Sequence, residues 1–482
     1  MPEVETSSLV LFNLLAFGVP VGLALLAIGA AEEERAQQVA VTAVLALVAA
    51  ILGYFMCGFA FQFGGAAFVS GMPGLQSLTA EWSPMDLSWG PGWGVLGLRG
   101  LALAGEAYNA DVYLLFLSHL PAAAAAVLVA LLALSKHVRQ VHLFVIGLLI
   151  SGFIYPLFGN WVWGGGWLAN LGLNLQLGHG FVDVAGSGTV FALASLVALS
   201  GYLLIKPLRP VETSPARLPP IHFPLFMITG ALLALVGWSG LALGNPFAQG
   251  RIVPAVVVVN SLFAAAGGAL AVAAYSWFVT GAPNTLAAGR GMVAGLVAGS
   301  ASCAFVPAWA SLVIGAIAGA LLLAGLYLWE QELRLDDPTG TAATFGLPGI
   351  WGLLALGIFA DGRWGAGWNE VGAQQYMGIS GQGISGLLLA SGYQPAEALQ
   401  LRAQLVGGTA LLVVGLVLPW LIFRSVLWLQ TAGQSVPSPS QPPDLAPTLE
   451  EEEQQAGETT TEVEAVADAA DEDRGTEGTE NA

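Results

Sequence analysis

Charge is what this sequence has least of. Asp, Glu, Lys and Arg make up 10% of its 482 residues, against roughly a quarter in an ordinary soluble domain, so a water-exposed globule is excluded for most of the chain. Cysteine is nearly absent. Cys57 and Cys303 are the only two; they lie far apart in apolar stretches, so no disulfide framework is expected and both read as packing residues. Histidine is scarce as well, and the five present are scattered. No spacing suggests a metal site or a nucleophile–base set, so neither an enzyme nor a cofactor is expected. The opening Met1-Pro2-Glu3-Val4-Glu5 carries no basic residue ahead of the first apolar run. A cleaved signal peptide is therefore not expected, and the first helix is retained.

What is abundant is apolar surface: 56% of residues are hydrophobic and the mean hydropathy is +0.72. Eleven runs approach the roughly 20 residues needed to cross a hydrocarbon core of about 30 Å. They lie near Leu9–Gly29, Val41–Phe63, Tyr113–Leu134, Leu143–Trp163, Ala185–Ile205, Phe223–Leu243, Ile252–Val279, Met292–Pro307, Ala308–Leu328, Ala342–Ala360 and Ala403–Phe423. Only the eighth and ninth lack a polar separator, and their boundary is placed at Pro307. The expected fold class is an all-α polytopic membrane protein, surrounded by lipid, multi-pass in the cell membrane, with no nucleic-acid partner.

Basic residues near helix ends stay on the cytoplasmic side. Loops after odd-numbered runs hold nine of them, Arg35, Lys136, Arg139, Lys206, Arg209, Arg217, Arg290, Arg334 and Arg424, whereas loops after even-numbered runs hold four, Arg99, Arg251, Arg363 and Arg402. The N-terminus is therefore expected outside and the C-terminus inside. Residues 1–430 form the transmembrane domain. Residues 431–482 turn rich in Ser and Pro and then acidic through Glu450-Glu451-Glu452-Glu453, with Arg474 the one basic residue, and read as a disordered cytoplasmic tail.

Two segments repeat a pattern. Asp183-Val184-Ala185-Gly186-Ser187-Gly188-Thr189-Val190-Phe191 opens helix 5, and Asp337-Pro338-Thr339-Gly340-Thr341-Ala342-Ala343-Thr344-Phe345 opens helix 10. By the charge count they start from opposite membrane faces, the arrangement of a 5+5 inverted repeat whose substrate is handled near the midplane. A residue eight positions past each Asp lies about 12 Å into the membrane, which places Phe191 and Phe345 on two sides of one central site. Asp183 and Asp337 read as helix N-caps. A carboxylate at the start of a membrane helix also favours a nearby cation, so Asp183 keeps both readings.

Several stretches resemble the ammonium transporter (Amt/Rh) superfamily. Trp161-Val162-Trp163-Gly164-Gly165-Gly166-Trp167-Leu168 followed by Asp183-Val184-Ala185-Gly186-Ser187-Gly188 is similar to its helix 5 signature. Gly53-Tyr54 with Ala60-Phe61, Gly237-Trp238-Ser239-Gly240, Ala294-Gly295-Leu296-Val297, and Asp336-Asp337-Pro338 followed by Gly349 through Ala360 are similar to its helices 2, 6, 8 and 9 to 10. The resemblance runs from about residue 8 to 427. It implies eleven helices around a central pore in each subunit of a homotrimer, and a cytoplasmic face that a PII-family signalling protein can block. It also implies an outer vestibule that binds ammonium at Trp163, the position of the family's cation–π tryptophan, with Asn245 at its hydroxyl position and Asp183 nearby. Trp163 otherwise reads as an interfacial belt residue.

The same resemblance exposes departures. The family's two mid-pore histidines fall on Phe191 and Phe345, and its paired gate phenylalanines fall on His119 and Leu241. Phenyl rings offer no hydrogen bond to a dehydrated ammonium. His119 reads either as a satisfied core histidine or, as an intramembrane ionisable residue, a functional one. The leading expectation is an ammonium or ammonia transporter or channel. The alternatives are a non-conducting ammonium receptor and a channel for another neutral small molecule.

Overall fold

The computed structural model describes residues 3–69, 71–72, 74–85, 92–206, 223–337, 340–395 and 397–433. Arg209, Arg217, His222, Pro338 and the acidic stretch from residue 434 onward lie outside them. Residues Met1–Ser425 form one unit, and Val426–Ala482 form a second, of which only the helical residues 426–433 are described.

Among the described residues, ten helices are long and apolar enough to cross a membrane. They are α1 (Thr6–Ala30), α2 (Glu33–Phe68), α3 (Ala110–Leu134), α4 (Gln140–Val162), α5 (Ser187–Ile205), α6 (Phe223–Leu243), α7 (Pro254–Thr280), α9 (Ala308–Tyr327), α10 (Ala342–Phe359) and α11 (Leu399–Ser425). The eighth apolar run gives a shorter helix, α8 (Thr285–Gly299). It begins earlier than the apolar run, where Asn284 caps it by accepting from Ala287 N. It also stops earlier, because the backbone beyond it is used elsewhere. Ser300 O accepts from Ala185 N (3.0 Å), and the carbonyls of Cys303 and Val306 accept from the Asn260 amide at 2.8 and 2.7 Å. The boundary at Pro307 stands, with α9 starting at Ala308.

Helix contacts are made by small residues, as membrane packing requires where lipid and side chains are equally apolar. Gly22 of α1 faces Gly230 and Ala234 of α6 so closely that a Cβ on Gly22 would meet the Gly230 carbonyl and the Ala234 amide. Gly267 and Gly268 of α7 make the same kind of approach to α9 and α8.

α5 and α10 run antiparallel against each other. Tyr202 near the end of α5 donates to Asp337 Oδ1 ahead of α10 (3.2 Å), and Ser187 at the start of α5 donates to Gly349 O of α10 (3.0 Å). Both helices open with a π-helical turn, Ser187–Ala192 and Ala342–Gly346, a feature that often marks functional positions.

The loops add two small hairpins. Glu81–Trp82 pairs antiparallel with Leu96–Gly97, and Gln375–Tyr376 with Ile379–Ser380. In the second, both turn residues, Met377 and Gly378, have positive φ (53° and 82°), the geometry that matches strand twist in a two-residue hairpin.

Candidate functional site

An open cavity of about 1210 Å³ lies at the end of the helices where α4 finishes and α5 begins. Its wall includes Trp163, Phe247, Arg251, Asn369 and Glu370. Arg251 and Glu370 form an ion pair at 2.5 Å, joining the loop after α6 to the loop after α10.

Trp163 is fixed by its own N–H, which donates to Asp183 O at 2.8 Å. Asp183 is buried, and its carboxylate accepts five bonds from the start of α5. Oδ1 takes the amides of Gly186 (3.1 Å) and Ser187 (2.8 Å), and Oδ2 takes the amides of Gly188 (2.9 Å) and Thr189 (2.8 Å) and the Thr189 hydroxyl (2.9 Å). These are the unpaired N–H groups that any helix start presents. Gly186 makes the turn at φ +87°, a conformation glycine adopts without strain, and a side chain there would also press on Val190. The Asp183 side chain thus faces the helix rather than the vestibule, and its carbonyl positions the tryptophan. Asp337 caps α10, with Oδ2 accepting from Ala342 N at 2.9 Å.

The segment before Asp183 is held by two glutamines of α11. Gln400 accepts from His179 N (3.0 Å) and donates to Gly180 O (2.9 Å). Gln404 accepts from Val182 N (2.9 Å) and donates to the carbonyls of Val182 (2.8 Å) and Leu353 (3.1 Å). Neither was singled out from the sequence. The available signal is two amides four residues apart, hence on one face, in a largely apolar helix.

His119 of α3 lies one layer in from the cavity wall. Its ring centroid is 5.2 Å from Trp163 and 4.6 Å from Phe63, which in turn is 5.9 Å from Phe247. It is 3% exposed, the Asn245 side chain lies beside it, and Nε2 has no partner among the described residues. Asn245 follows the end of α6 and caps the next short turn, accepting from Phe247 N at 3.0 Å. Four residues back along α6 is buried Leu241. Three further back is Trp238, whose N–H donates to Ser300 Oγ at 2.6 Å. Asn245 to Trp238 corresponds to about 10 Å along a helix, so α6 leads from the vestibule toward the interior.

There the rings close up. Phe191 stacks on Trp238 at 4.8 Å and on Phe345 at 5.9 Å, with interplanar angles of 20° and 18°. Both phenylalanines come from the π-helical openings of α5 and α10. Trp163, Asn245, His119 and Asp183 therefore gather at the vestibule, Leu241 lies between, and Phe191 and Phe345 meet deeper. Phe63 and Trp238 pack against these rings, Phe63 on His119 and Trp238 on Phe191. Among the described residues no group of His, Cys, Asp and Glu is placed to hold a metal.

At the opposite face, Lys136 pairs with Asp336 at 2.5 Å, and His137 Nε2 lies 2.9 Å from Asp336 O.

The chain matches the Ammonium Transporter Family over residues 7–435. It is 33% identical to ammonium transporter Amt2 of Archaeoglobus fulgidus, over 71% of this chain and 69% of that one. It is 26% identical to ammonium transporter 1 member 3 of Solanum lycopersicum, over 79% and 78%. Among solved structures it superposes on a protein described as a sensor Amt protein, with a TM-score of 0.68 at 21% identity, covering 89% and 93% of the two chains. It superposes on Mep2 of Candida albicans with a TM-score of 0.67 at 21% identity, covering 89% and 85%.

Proposed function

The chain belongs to the ammonium transporter family, and on that premise we propose that it carries ammonium or ammonia across the cell membrane through a pore within each subunit of a homotrimer. In this reading all eleven helices act as crossings, α8 with its trailing turn included, and the two sets of five form an inverted repeat with α11 added. The N-terminus lies outside and the C-terminus inside. Residues 1–430 are the transporting domain, residues 431–482 a cytoplasmic tail, and the Lys136 face the docking side for a PII-family protein.

The observation that carries the reading is Trp163 in the wall of the vestibule, held by Asp183 O and followed inward by His119 and Asn245. An indole face attracts a cation by about 0.5–2 kcal/mol, and the asparagine oxygen supplies an acceptor. Beyond Leu241 the Trp238–Phe191–Phe345 stack replaces polar groups with rings. Charged side chains at mid-helix depth cost about 2.5–3.5 kcal/mol, so the stack favours passage of neutral ammonia over the cation.

That stack also favours a second reading, a receptor that binds ammonium at the vestibule without conducting it. Ammonium-evoked current on a solid-supported membrane, with stopped-flow ammonia flux in the same proteoliposomes and protein-free liposomes as control, separates the two. Flux above control, charged or neutral, supports the transporter. Binding with neither current nor flux overturns it in favour of the receptor.

A further inference from the structure

We propose that His119 is a substrate ligand: its Nε2 accepts an N–H hydrogen bond from ammonium held against Trp163, and thereby makes the site select cations that carry an N–H. The inference rests on the ammonium reading above and adds to it a basis for selectivity.

Cation–π attraction acts on charge and size. It draws a fully alkylated ammonium as it draws a protonated amine, so an indole alone leaves the two poorly resolved. Discrimination needs a polar atom that is left unpaired when the wrong cation binds. His119 supplies one. It is buried to 3% exposure, and its Nε2 is unpartnered among the described residues, an uncommon state for a buried polar atom. A neutral imidazole carries its proton on one ring nitrogen and a lone pair on the other, and in the tautomer protonated at Nδ1 that lone pair is on Nε2.

The surroundings leave that lone pair without competition. Phe63 covers one side of the ring and Trp163 another. Further in, Leu241 is apolar and the Trp238 N–H is already bonded to Ser300. Trp163 is a vestibule wall residue and His119 is not, so a cation reaching the imidazole has first met the indole. Attraction at the wall and acceptance one layer in divide the work between two side chains.

The test measures equilibrium binding of methylammonium and tetramethylammonium to the purified full-length protein, for wild type, His119→Phe, His119→Gln and Trp163→Leu. A hydrogen bond to a charged group corresponds to about ten- to a hundredfold in affinity. His119→Phe is therefore expected to reduce the preference for methylammonium over tetramethylammonium at least tenfold. His119→Gln, which keeps an acceptor, recovers most of it, and Trp163→Leu weakens both cations. An unchanged preference in His119→Phe overturns the proposal, as does a loss in His119→Gln as deep as in His119→Phe. Elution as wild type on size exclusion checks the fold, and His119→Leu carries the same test if the phenylalanine variant aggregates. Wild type that binds neither cation removes the ammonium reading itself, and this inference with it.

Discussion

Trp238 and Phe191 stack with their ring centroids 4.8 Å apart and their planes 20° apart, and Phe345 continues the stack on Phe191. Three rings from α5, α6 and α10 therefore meet in one stack. The double variant Phe191→His/Phe345→His places two hydrogen-bonding rings there. Recovering even half of a barrier of about 3 kcal/mol speeds passage roughly tenfold. The expected result is ammonium-evoked current at least tenfold above wild type in correctly inserted protein.

At the vestibule, Trp163→Leu removes the indole face together with the N–H bond to Asp183 O. Loss of a cation–π contact of about 0.5–2 kcal/mol predicts methylammonium affinity reduced by about two- to thirtyfold. Isothermal titration calorimetry of purified protein measures it, and an affinity equal to wild type would remove Trp163 from the site.

Asp183→Ala leaves four backbone amides and one hydroxyl at the start of α5 without their acceptor. Ordinary N-cap losses reach about 2 kcal/mol, and this site is buried, so the expected loss is at least that. A thermal melt in detergent should show a clear fall in Tm. A melt unchanged from wild type would mean that other groups take over the capping.

His179 lies outside the membrane-spanning helices, fully buried against Tyr376 at 4.6 Å, with both ring nitrogens unpartnered among the described residues. Burial lowers its pKa from 6.5 to about 4. The unfolded chain therefore takes up a proton between pH 6.5 and 4 while the folded chain does not. Stability is constant above pH 6.5 and falls as pH drops to 4, by about 3 kcal/mol in total. His179→Phe removes that slope. Melting temperatures of the two proteins between pH 7 and pH 4 should diverge, the wild type falling faster.

The sequence exposes those features that depend on run length and local spacing. The apolar runs locate the helices because a membrane sets a minimum length, and Pro307 marks a boundary because proline suits a helix start, although Pro121 inside α3 shows that it does not by itself end a helix. The Asp183 and Asp337 segments are legible as a pair since each carries its own capping residue and its own phenylalanine. What escapes is anything decided by a distant partner. α8 ends at Gly299 because Ser300, Cys303 and Val306 bond to Ala185 and Asn260, and nothing within the run announces this. Trp238 joins Phe191 only through the packing of α6 on α5. Gln400 and Gln404 look like isolated polar residues until the segment some 220 positions earlier is placed beside them.

Those two glutamines bear on the order in which the chain is made. Among the described membrane-length helices α11 comes last in chain order, yet its amides hold residues 179–182, which lead into Asp183 and the start of α5. Before α11 enters the bilayer, the amides of Gly180 and Phe181 already have the carbonyls of Leu177 and Leu168 as acceptors. The arrival of α11 supplies the partners of the other two amides, His179 and Val182, and of the carbonyls of Gly180 and Val182. The frame leading into Asp183 is thus completed when α11 inserts, and a chain released before α11 would hold the residues of the site without the two glutamines that help align them.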